Sequence, residues 1–587
     1  MTGKQILATL GAVVLVLTAC GPAATATPVP PTATPRVAPT ATATPLVGGG
    51  LATATPIPQA TATPTKPSVA QPKYGGTLRI VRNEEDPSWD FMKYTGGGGN
   101  LRPVAHMVFN MLASRASAKP RPCETALSPE LAESWKWVND TTFQVNMRQG
   151  VKFQNKSPVN GREVTAEDVA YSYNRGFFTY PVRNIKIVAD QVGKVVALDR
   201  YTISFQTKTP LAILPDTMAT FYSLVVLAKE SGGPKETWED PDTSWIGSGP
   251  FVFQQYLPGL KKVLVRNPDY FEKGFPYLDR VEHVVIPDKS TVQAALRGGR
   301  VDLWDWNTDQ ISVDALAKSS PQIQVQKCPA TSGTAPGWVY FKADDLTWKD
   351  IRVRRAAMMA VDTQSIIDKA LLGQGVGMAP WPPVLPTFTK KGDLTTEAQK
   401  YLTYNPQESR RLLADAGYSA SNPPSINFVA TTRYGLVGPF ATSIEMLQKM
   451  FDDVGFKVKV DWQDSGRYMA GFITGQWTPG YNTGAGLWDA STSAVLTKFS
   501  CKAGASDNKA GVCDPEYDNL VSQWLASVDA QKQQQLARAV QSRIIEQAYG
   551  IPGAVGFEFA LTQPWVKNFT YVQWYYPRPI AYTWLDR

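Results

Sequence analysis

Residues 131–153 read LAESWKWVNDTTFQVNMRQGVKF, and they alternate apolar and polar side chains on both sides of Asn139 and Asp140. The first arm of the pattern is WKWV at 135–138 and the second is TFQVNM at 142–147. A period of two is the side-chain period of a β-strand, and Asn and Asp favour tight turns. The stretch therefore predicts a β-hairpin.

Helices and strands alternate along the rest of the chain. Thr165, followed three residues later by Asp168, predicts a helix N-terminus with a capping box. Units in which a helix, a glycine and a strand follow one another are predicted at 290–304 and 444–460, and a helix with an N1 proline is predicted at 405–417. This alternation indicates mixed α/β lobes.

The length of the chain requires more than one hydrophobic core. The body at 72–587 is longer than the roughly 250–300 residues at which a single core stops growing. We therefore expect at least two lobes. A hydrophobic content of 43% with only 19% charged residues is typical of a packed globular protein, and no further transmembrane run is present after the N-terminus.

The first twenty residues have the pattern of a signal peptide. Lys4 gives a positive start, residues 6–17 are apolar, and LTAC at 17–20 is a small-residue cleavage site that ends in Cys20. The apolar run is shorter than the roughly twenty residues that span a bilayer. LTAC resembles the bacterial lipobox, which implies that Cys20 is acylated and anchors the mature protein to a membrane. The alternative is a plain secretory signal with an incidental cysteine.

Residues 21–71 are rich in Thr, Ala and Pro. Proline denies helix and ladder hydrogen bonds, and the absence of large apolar side chains denies a core, so we expect a disordered linker that is partly polyproline II. Such a linker could extend to about 150 Å. A glycosylated stalk is the alternative, and it would serve the same spacing role. The motif TATP recurs in this segment at 25, 32, 42, 53 and 61.

The cysteines that remain after Cys20 are even in number, which suggests two disulfides in an exported protein. Three pairings are possible, and the short spacing favours Cys501 with Cys513 as a local pair. The sequence leaves the pairing of Cys123 and Cys328 open.

The charge distribution argues against a nucleic-acid partner. The formal net charge is +8 at pH 7, but the basic residues are scattered, whereas nucleic-acid binding needs a concentrated basic stripe. A general attraction to an anionic cell envelope is the better interpretation of this charge.

The sequence lacks the common signatures of metal, cofactor or nucleophilic chemistry. The two histidines, His106 and His283, are far apart and each lies in an apolar or strand-like setting. No Cys-x-x-Cys, His-x-x-x-His, Gly-x-Ser-x-Gly or Walker motif is present. The glycine run at 96–99 follows no clear strand and opens no clear helix, so we interpret it as a loop rather than a phosphate site. No metal or cofactor is expected.

Tryptophan is abundant, with 17 residues in the chain. Most of these side chains are expected in the core or in hairpins. Aromatic faces can also stack on sugars or cover apolar peptide side chains. The candidates for a ligand cleft, which lie near Gly or Pro in loop-like sequence, are Trp338, Trp381, Trp477 and Trp488.

Several segments together resemble the family 5 extracellular solute-binding proteins, which are the peptide- and nickel-type receptors of ABC importers. They occur in the same order in this chain as in that family, from about residue 74 to the C-terminus. The matching segments are LAESW at 131–135, MRQGVKF at 147–153, VTAEDV at 164–169, IGSGPF at 246–251, RNPDYF at 266–271, LDRV at 278–281, DIRVRRA at 350–356 and AVD at 360–362.

The resemblance implies a bilobal α/β fold of the periplasmic-binding-protein type II, cluster C, with an inserted subdomain. Solute would lie between the lobes, and closure would remove it from water. The expected segments are a signal peptide at 1–20, a linker at 21–71, lobe I at 72–325 with its inserted subdomain at about 110–245, lobe II at 326–544, and a C-terminal return to lobe I at 545–587.

The resemblance also implies candidate ligand contacts. In peptide-binding relatives, an acidic residue that holds the α-ammonium precedes a segment that corresponds here to FSC at 499–501, and this position falls on Leu487. Asp489 is two residues away and could serve instead. Arg433 and Tyr434 lie where dipeptide receptors keep an Arg for the ligand carboxylate and a nearby Tyr.

The function implied is that of a receptor without enzymatic activity, which captures a peptide-like solute and delivers it to an ABC permease and its ATPase subunits. The expected location is the outer face of the cytoplasmic membrane, either at the cell surface or in a periplasmic space, with a lipid-anchored monomer. An oligosaccharide or another non-peptide solute is the alternative ligand. A surface hydrolase or an adhesion lipoprotein is the alternative of another class.

Overall fold

The computed structural model describes residues 71–587 with gaps. The predicted signal peptide, Cys20 and all but the last residue of the predicted linker lie outside the described residues. The gaps are at 83–84, 86–87, 91, 93–100, 116–122, 124–125, 180–185, 220–223, 307, 330–337, 343–344, 378–379, 382, 384, 386, 433–437, 475–480, 485–496, 502–507, 509 and 573–576.

The strands belong to three larger sheets and two short ribbons. Their bounds are β1 (Thr77–Arg82), β2 (Ala113–Ser114), β3 (Ser128–Pro129), β4 (Ala132–Asn139), β5 (Thr142–Met147), β6 (Val192–Ala197), β7 (Thr202–Thr207), β8 (Phe251–Leu257), β9 (Lys261–Arg266), β10 (Arg280–Val285), β11 (Leu303–Trp304), β12 (Gln324–Pro329), β13 (Trp338–Tyr340), β14 (Gly375–Gly377), β15 (Ser425–Thr431), β16 (Lys457–Gln463), β17 (Tyr481–Gly484), β18 (Gly550–Pro552), β19 (Ala554–Thr562), β20 (Val566–Lys567) and β21 (Trp584–Leu585).

Helices alternate with these strands. Within the part of the chain that the structure describes, none of them combines the length and the apolar character needed to cross a bilayer. Their bounds are α1 (Leu101–Val108), α2 (Ala166–Asn174), α3 (Lys186–Gln191), α4 (Leu214–Thr217), α5 (Pro241–Ser244), α6 (Lys289–Arg297), α7 (Gln310–Ser319), α8 (Leu346–Lys349), α9 (Ile351–Met359), α10 (Thr363–Lys369), α11 (Thr396–Tyr401), α12 (Pro406–Asp415), α13 (Pro439–Val454), α14 (Ser465–Thr474), α15 (Pro515–Ala526), α16 (Ala530–Glu546) and α17 (Pro577–Tyr582).

The first sheet is built around the opening strand. Its order is β12, β19, β11, β1, β10, β9, β8, and β14 pairs with the start of β19. β1 runs parallel to both of its neighbours. Leu78, Ile80 and Val81 of this strand are almost completely buried, as is usual for a parallel strand covered on both faces.

The predicted hairpin lies in a separate four-stranded sheet, which we call the insert sheet, with the order β4, β5, β7, β6. Trp135 of β4 pairs with Val145 of β5 across the predicted turn. The following helix, α2, begins as its sequence indicates, because the backbone N–H of Thr165 donates to Asp168 Oδ2 at 2.9 Å. The insert sheet occupies the middle of the segment that the resemblance assigns to an inserted subdomain.

The second sheet has the order β16, β15, β17, β13, β18. Its helices begin and end at residues suited to those places. Asn405 Oδ1 accepts from the backbone N–H of Glu408 at 3.0 Å at the start of α12. Gly455 ends α13 in the left-handed region, at φ +109°, where a Cβ would be strained.

Apart from the short strand β14, which lies between β13 and β15 in the chain and pairs with β19, the chain passes between the first and second sheets twice. It leaves the first sheet after Pro329 at the end of β12, and it returns between Pro552 at the end of β18 and Ala554 at the start of β19. These strand ends lie a few residues beyond the expected lobe boundaries at 325 and 545.

Two disulfides are present in the described residues. Cys501 pairs with Cys513, the local pair that the sequence favours, with a Cα–Cα distance of 4.6 Å. Cys123 pairs with Cys328, with a Cα–Cα distance of 5.5 Å and a sequence separation of 205. Cys328 lies in β12. This second bridge therefore joins the segment that precedes the insert sheet in the chain to the first sheet.

Acid is expected to destabilise the protein through His283 of β10. Its ring is buried, and neither ring nitrogen has a hydrogen-bond partner. Burial lowers the pKa of His283 well below its ordinary value of 6.5, and the positive charges of Arg82 and Lys262 lower it further. Arg82 is paired with Asp305 at 2.5 Å and Lys262 with Glu85 at 2.9 Å.

The sign of the effect follows from proton uptake. Below about pH 6.5 the unfolded state gains a proton on His283 that the folded state does not bind, so stability falls as pH falls, by up to about 1.4 kcal/mol per pH unit. Chemical unfolding at pH 7.5, 6.5 and 5.5 should show this slope, and His283→Leu should reduce it by about one proton. An unchanged slope in the variant would contradict the assignment.

Candidate functional site

Two parallel strands of the second sheet end at the same edge. β15 and β17 are parallel neighbours, with Phe428 paired to Tyr481. The chain leaves β15 after Thr431 and leaves β17 after Gly484. In open α/β sheets, ligands bind beyond the carboxyl ends of the strands, where neighbouring connections diverge. We therefore take this edge, called the carboxyl edge below, as the candidate site.

The connections between the two sheets lie at the carboxyl edge as well. β13 begins at Trp338, whose backbone pairs with Gly484 of β17 on one side and with Pro552 of β18 on the other. The chain reaches Trp338 from the first sheet through residues 330–337 and leaves Pro552 for the first sheet through Gly553. A bend in these two connections would therefore act beside a ligand bound at the carboxyl edge.

A group of buried aromatic side chains, which we call the aromatic wall, stands behind this edge. It consists of Trp338, Tyr340, Phe499 and Tyr549. The rings of Trp338 and Tyr340 are stacked, with centroids 6.1 Å apart, and Phe499 lies 5.7 Å from Trp338 and 5.4 Å from Tyr549. Close packing of this kind fixes the position of β13 at the edge.

A buried cation contacts the aromatic wall. Lys498 is 8% exposed, its Nζ donates to the Tyr340 hydroxyl at 2.8 Å, and Nζ lies 5.4 Å from the Tyr340 ring centroid. A buried ammonium is costly unless polar groups surround it. The Tyr340 hydroxyl is one such group, and Lys498 places a positive charge at the end of the 485–496 connection. Sequence reasoning did not select Lys498, although it directly precedes the FSC segment on which the site was aligned.

Most of the ligand contacts expected from the sequence fall on the connections that leave the carboxyl edge. The connection after β15 contains residues 433–437 and the connection after β17 contains residues 485–496. Five of the expected contacts lie outside the described residues, namely Arg433, Tyr434, Trp477, Trp488 and Asp489. Leu487 lies outside them as well.

The two expected contacts that the structure describes are both tryptophans in the hydrophobic core. Trp338 and Trp381 are 0% exposed. Trp338 begins a strand rather than lying in a loop, because β13 pairs with β17 and β18. The indole N–H of each has no hydrogen-bond partner, and a buried unpaired donor costs about 1–3 kcal/mol. A water molecule or a solute oxygen at either group would recover that energy.

The local disulfide fixes the FSC segment. Cys501 is bonded to Cys513, which lies just before α15. The backbone N–H of Cys501 also donates to Asp518 Oδ1 in the first turns of that helix, at 3.3 Å. The aromatic wall and α15 are therefore connected by one short cross-linked segment.

The described residues contain no metal site built from the usual ligands. No group of three or more His, Cys, Asp or Glu side chains is placed to hold an ion in this part of the chain. His106 and His283, the candidates for metal ligands by residue type, are 2% and 1% exposed and belong to the region of the first sheet.

Comparison with known proteins gives consistent matches. The profile described as "Bacterial extracellular solute-binding proteins, family 5 Middle" matches residues 126–505. Heme-binding protein A of Haemophilus influenzae is 27% identical over 473 residues, which cover 76% of this chain and 82% of that protein. Di/tripeptide-binding protein 2 of Pseudomonas aeruginosa is 24% identical over 503 residues, which cover 82% of this chain and 90% of that protein.

The solved structures give the same fold. The oligopeptide-binding protein AppA from Bacillus subtilis, in complex with a nonapeptide, superposes with a TM-score of 0.71 at 20% identity, covering 88% of this chain and 100% of that one. This confirms the expected mixed α/β fold of cluster C. Since the profile matches more than half of the sequence, the chain belongs to the bacterial extracellular solute-binding proteins of family 5, which bind solutes and catalyse no reaction.

Proposed function

We propose that this protein is the receptor of an ABC importer, which captures a peptide-like solute at the carboxyl edge and delivers it to a membrane permease and its ATPase subunits. The observation that supports the proposal is that β15, β17 and β18 end, and β13 begins, at this one edge. A solute bound there would contact the segments that must move when the molecule opens or closes.

The mechanism is hinged closure between two lobes. Lobe I comprises the first sheet apart from β14, the insert sheet and the C-terminal return, and lobe II comprises the second sheet and β14, with the crossings at 330–337 and at Gly553. Solute shifts the population toward the closed form only by as much as it binds that form more tightly. The permease then recognises the closed form.

A peptide suits the residue types on the two connections. Arg433 would hold the terminal carboxylate with its planar fork of donors, and Tyr434 and Trp488 would cover side chains. Relatives are named for di- and tripeptides and for heme, so non-peptide solutes belong in any binding test.

The test of ligand class is a titration of the purified full-length protein in detergent. Di- to pentapeptides, oligosaccharides and hemin are added separately while tryptophan fluorescence and the melting temperature are recorded. We expect saturable binding of one equivalent of peptide, recovered unchanged afterwards. Saturation by an oligosaccharide or by hemin, with no response to any peptide, would replace the peptide assignment by that ligand class.

The Arg433→Met variant is expected to weaken peptide binding by about tenfold or more, since a charge-assisted hydrogen bond contributes about 1.5–3 kcal/mol. The matched control is Arg410→Met, because the Arg410 guanidinium is exposed on α12 and, within the described residues, donates only to the backbone carbonyl of Asp453, at 3.1–3.3 Å. Equal affinities in the two variants would remove Arg433 from the site.

We also propose that Cys20 carries the lipid anchor and that residues 21–71 act as a flexible tether. Two or more acyl chains hold a protein stably at a bilayer, at about 0.8 kcal/mol for each buried CH₂. The Cys20→Ala variant is expected to move from the membrane fraction to the soluble exported fraction. An unchanged membrane fraction, or a mature N-terminal peptide without acyl mass, would contradict the anchor.

A further inference from the structure

A cavity of about 320 Å³ lies between two segments that are remote in the chain. One wall is formed by Gln191, just before β6 of the insert sheet, and by residues 209–211, just after β7. The other wall is formed by the FSC segment and α15. The two walls are joined directly, because the backbone N–H of Ala212 donates to the carbonyl of Leu525 at 2.5 Å. The lining includes Gln191, Thr209, Leu211, Ser500, Asp518 and Val521.

Asp518 is the acidic group of this cavity. Its side chain is half-buried, and Oδ1 accepts the backbone N–H of Cys501 at 3.3 Å. No basic side chain among the described residues forms an ion pair with it. Lys208, which precedes the Thr209 wall, instead places its ammonium on the backbone carbonyl of Asp190 at 2.6 Å. In the part of the chain that the structure describes, the carboxylate therefore faces the cavity without a neutralising cation.

The walls strengthen the attraction of this carboxylate for a cation. Leu211 and Val521 are buried apolar side chains, and charges interact more strongly where water is partly excluded. The volume is at the lower end of the roughly 300–1,000 Å³ that ligand pockets occupy. It suits a terminal amine or one side chain rather than a whole solute.

We propose that this cavity binds a positively charged group of the solute, an ammonium or a guanidinium, with Asp518 as its counter-ion. The proposal rests on the proposed function, because Ser500 continues directly from the aromatic wall at the carboxyl edge. It also assigns the selection of cationic solutes to α15. A bound cation would stabilise the arrangement in which the two walls are close together.

The experiment compares Asp518→Asn with wild type in the full-length protein. Asparagine keeps an acceptor for the Cys501 N–H and removes the charge. The matched control is Glu516→Gln, which removes a charge from the same helix turn, but Glu516 pairs with Arg543 at 2.6 Å and is not part of the lining. The probes are tetraalanine, N-acetyl-tetraalanine and spermidine, measured by calorimetry.

Wild type should prefer tetraalanine to its acetylated form, and Asp518→Asn should weaken both tetraalanine and spermidine by about tenfold or more. Binding of N-acetyl-tetraalanine, and all binding by Glu516→Gln, should be unchanged. Should Asp518→Asn fail to fold, Thr209→Lys places a competing cation on the opposite, solvent-accessible wall, and the same loss is expected from it.

The outcomes separate the two proposals. Equal affinity for the two peptides, with no effect of either substitution at the cavity, would overturn the cation site and leave the peptide receptor intact. Asp518-dependent binding of spermidine without binding of any peptide would support the cation site and overturn the peptide assignment. Failure of all three probes to bind wild type would overturn both.

Discussion

Replacing Cys123 and Cys328 together by alanine is expected to lower the free energy of unfolding by about 5 kcal/mol. A cross-link stabilises mainly by restricting the unfolded chain, and the effect grows with the length of the closed loop. This bridge spans 205 residues, whereas Cys501–Cys513 spans only 12. The same relation gives about 3 kcal/mol for the shorter bridge.

The two bridges can be compared in one protein by guanidinium titration of the two double-alanine variants. Cys328 is fully buried, and alanine leaves little extra space there, so the cross-link itself dominates the change. The longer bridge should cost clearly more to remove. If the two variants lose equal stability, or the shorter bridge matters more, loop closure is not the main source of the stabilisation.

The parts of the fold that the sequence predicts correctly are those with local causes. The hairpin follows from a period of two around Asn139 and Asp140, and both of its strands are present. The start of α12 follows from the Asn405 side chain, and the end of α13 follows from Gly455 in the left-handed region. Each of these signals lies within a few residues of the structure that it determines.

The strand at Trp338 could not be predicted from its own residues. β13 has three residues, and its place is set by backbone pairing with β17 and β18, which are far away in the chain. Glycine and proline nearby made the segment look like a loop. The contact of Lys498 with Tyr340 joins residues 158 positions apart, and no spacing rule predicts such a pair.

In the candidate site, too, some features could be predicted from the sequence and others depend on residues that are remote in the chain. The family resemblance indicated which connections would carry the ligand, and the topology brings both of them to one edge of the second sheet. The family resemblance did not indicate Asp518, because the cavity that contains Asp518 is completed by residues 209–211, which are remote in the chain. Leu487 stands where the resemblance expects an acidic residue, and a carboxylate on α15 offers the missing charge from a different element.

Replacing Gly247 by alanine is expected to cost about 3 kcal/mol or more. A Cβ at this position would lie 2.1 Å from the carbonyl oxygen of Val108 and 2.8 Å from Cα of Phe109. Both are backbone atoms at the end of α1, so no side chain can rotate away to make room. The helix end and the 246–251 segment would have to separate, which would also strain the bond from the Gln154 N–H to the Gly247 carbonyl.

The matched control is Gly193→Ala in β6, where the nearest atom to a Cβ would be the Gln206 carbonyl oxygen at 3.6 Å, an ordinary contact. This variant should change stability by no more than about 0.5 kcal/mol. Thermal melting of both variants gives the comparison. If Gly247→Ala and the control melt at the same temperature, α1 moves aside at little energetic cost and the predicted loss of stability is wrong. If it melts far below the control, the glycine in IGSGPF is required because the backbone of α1 passes too close for any side chain.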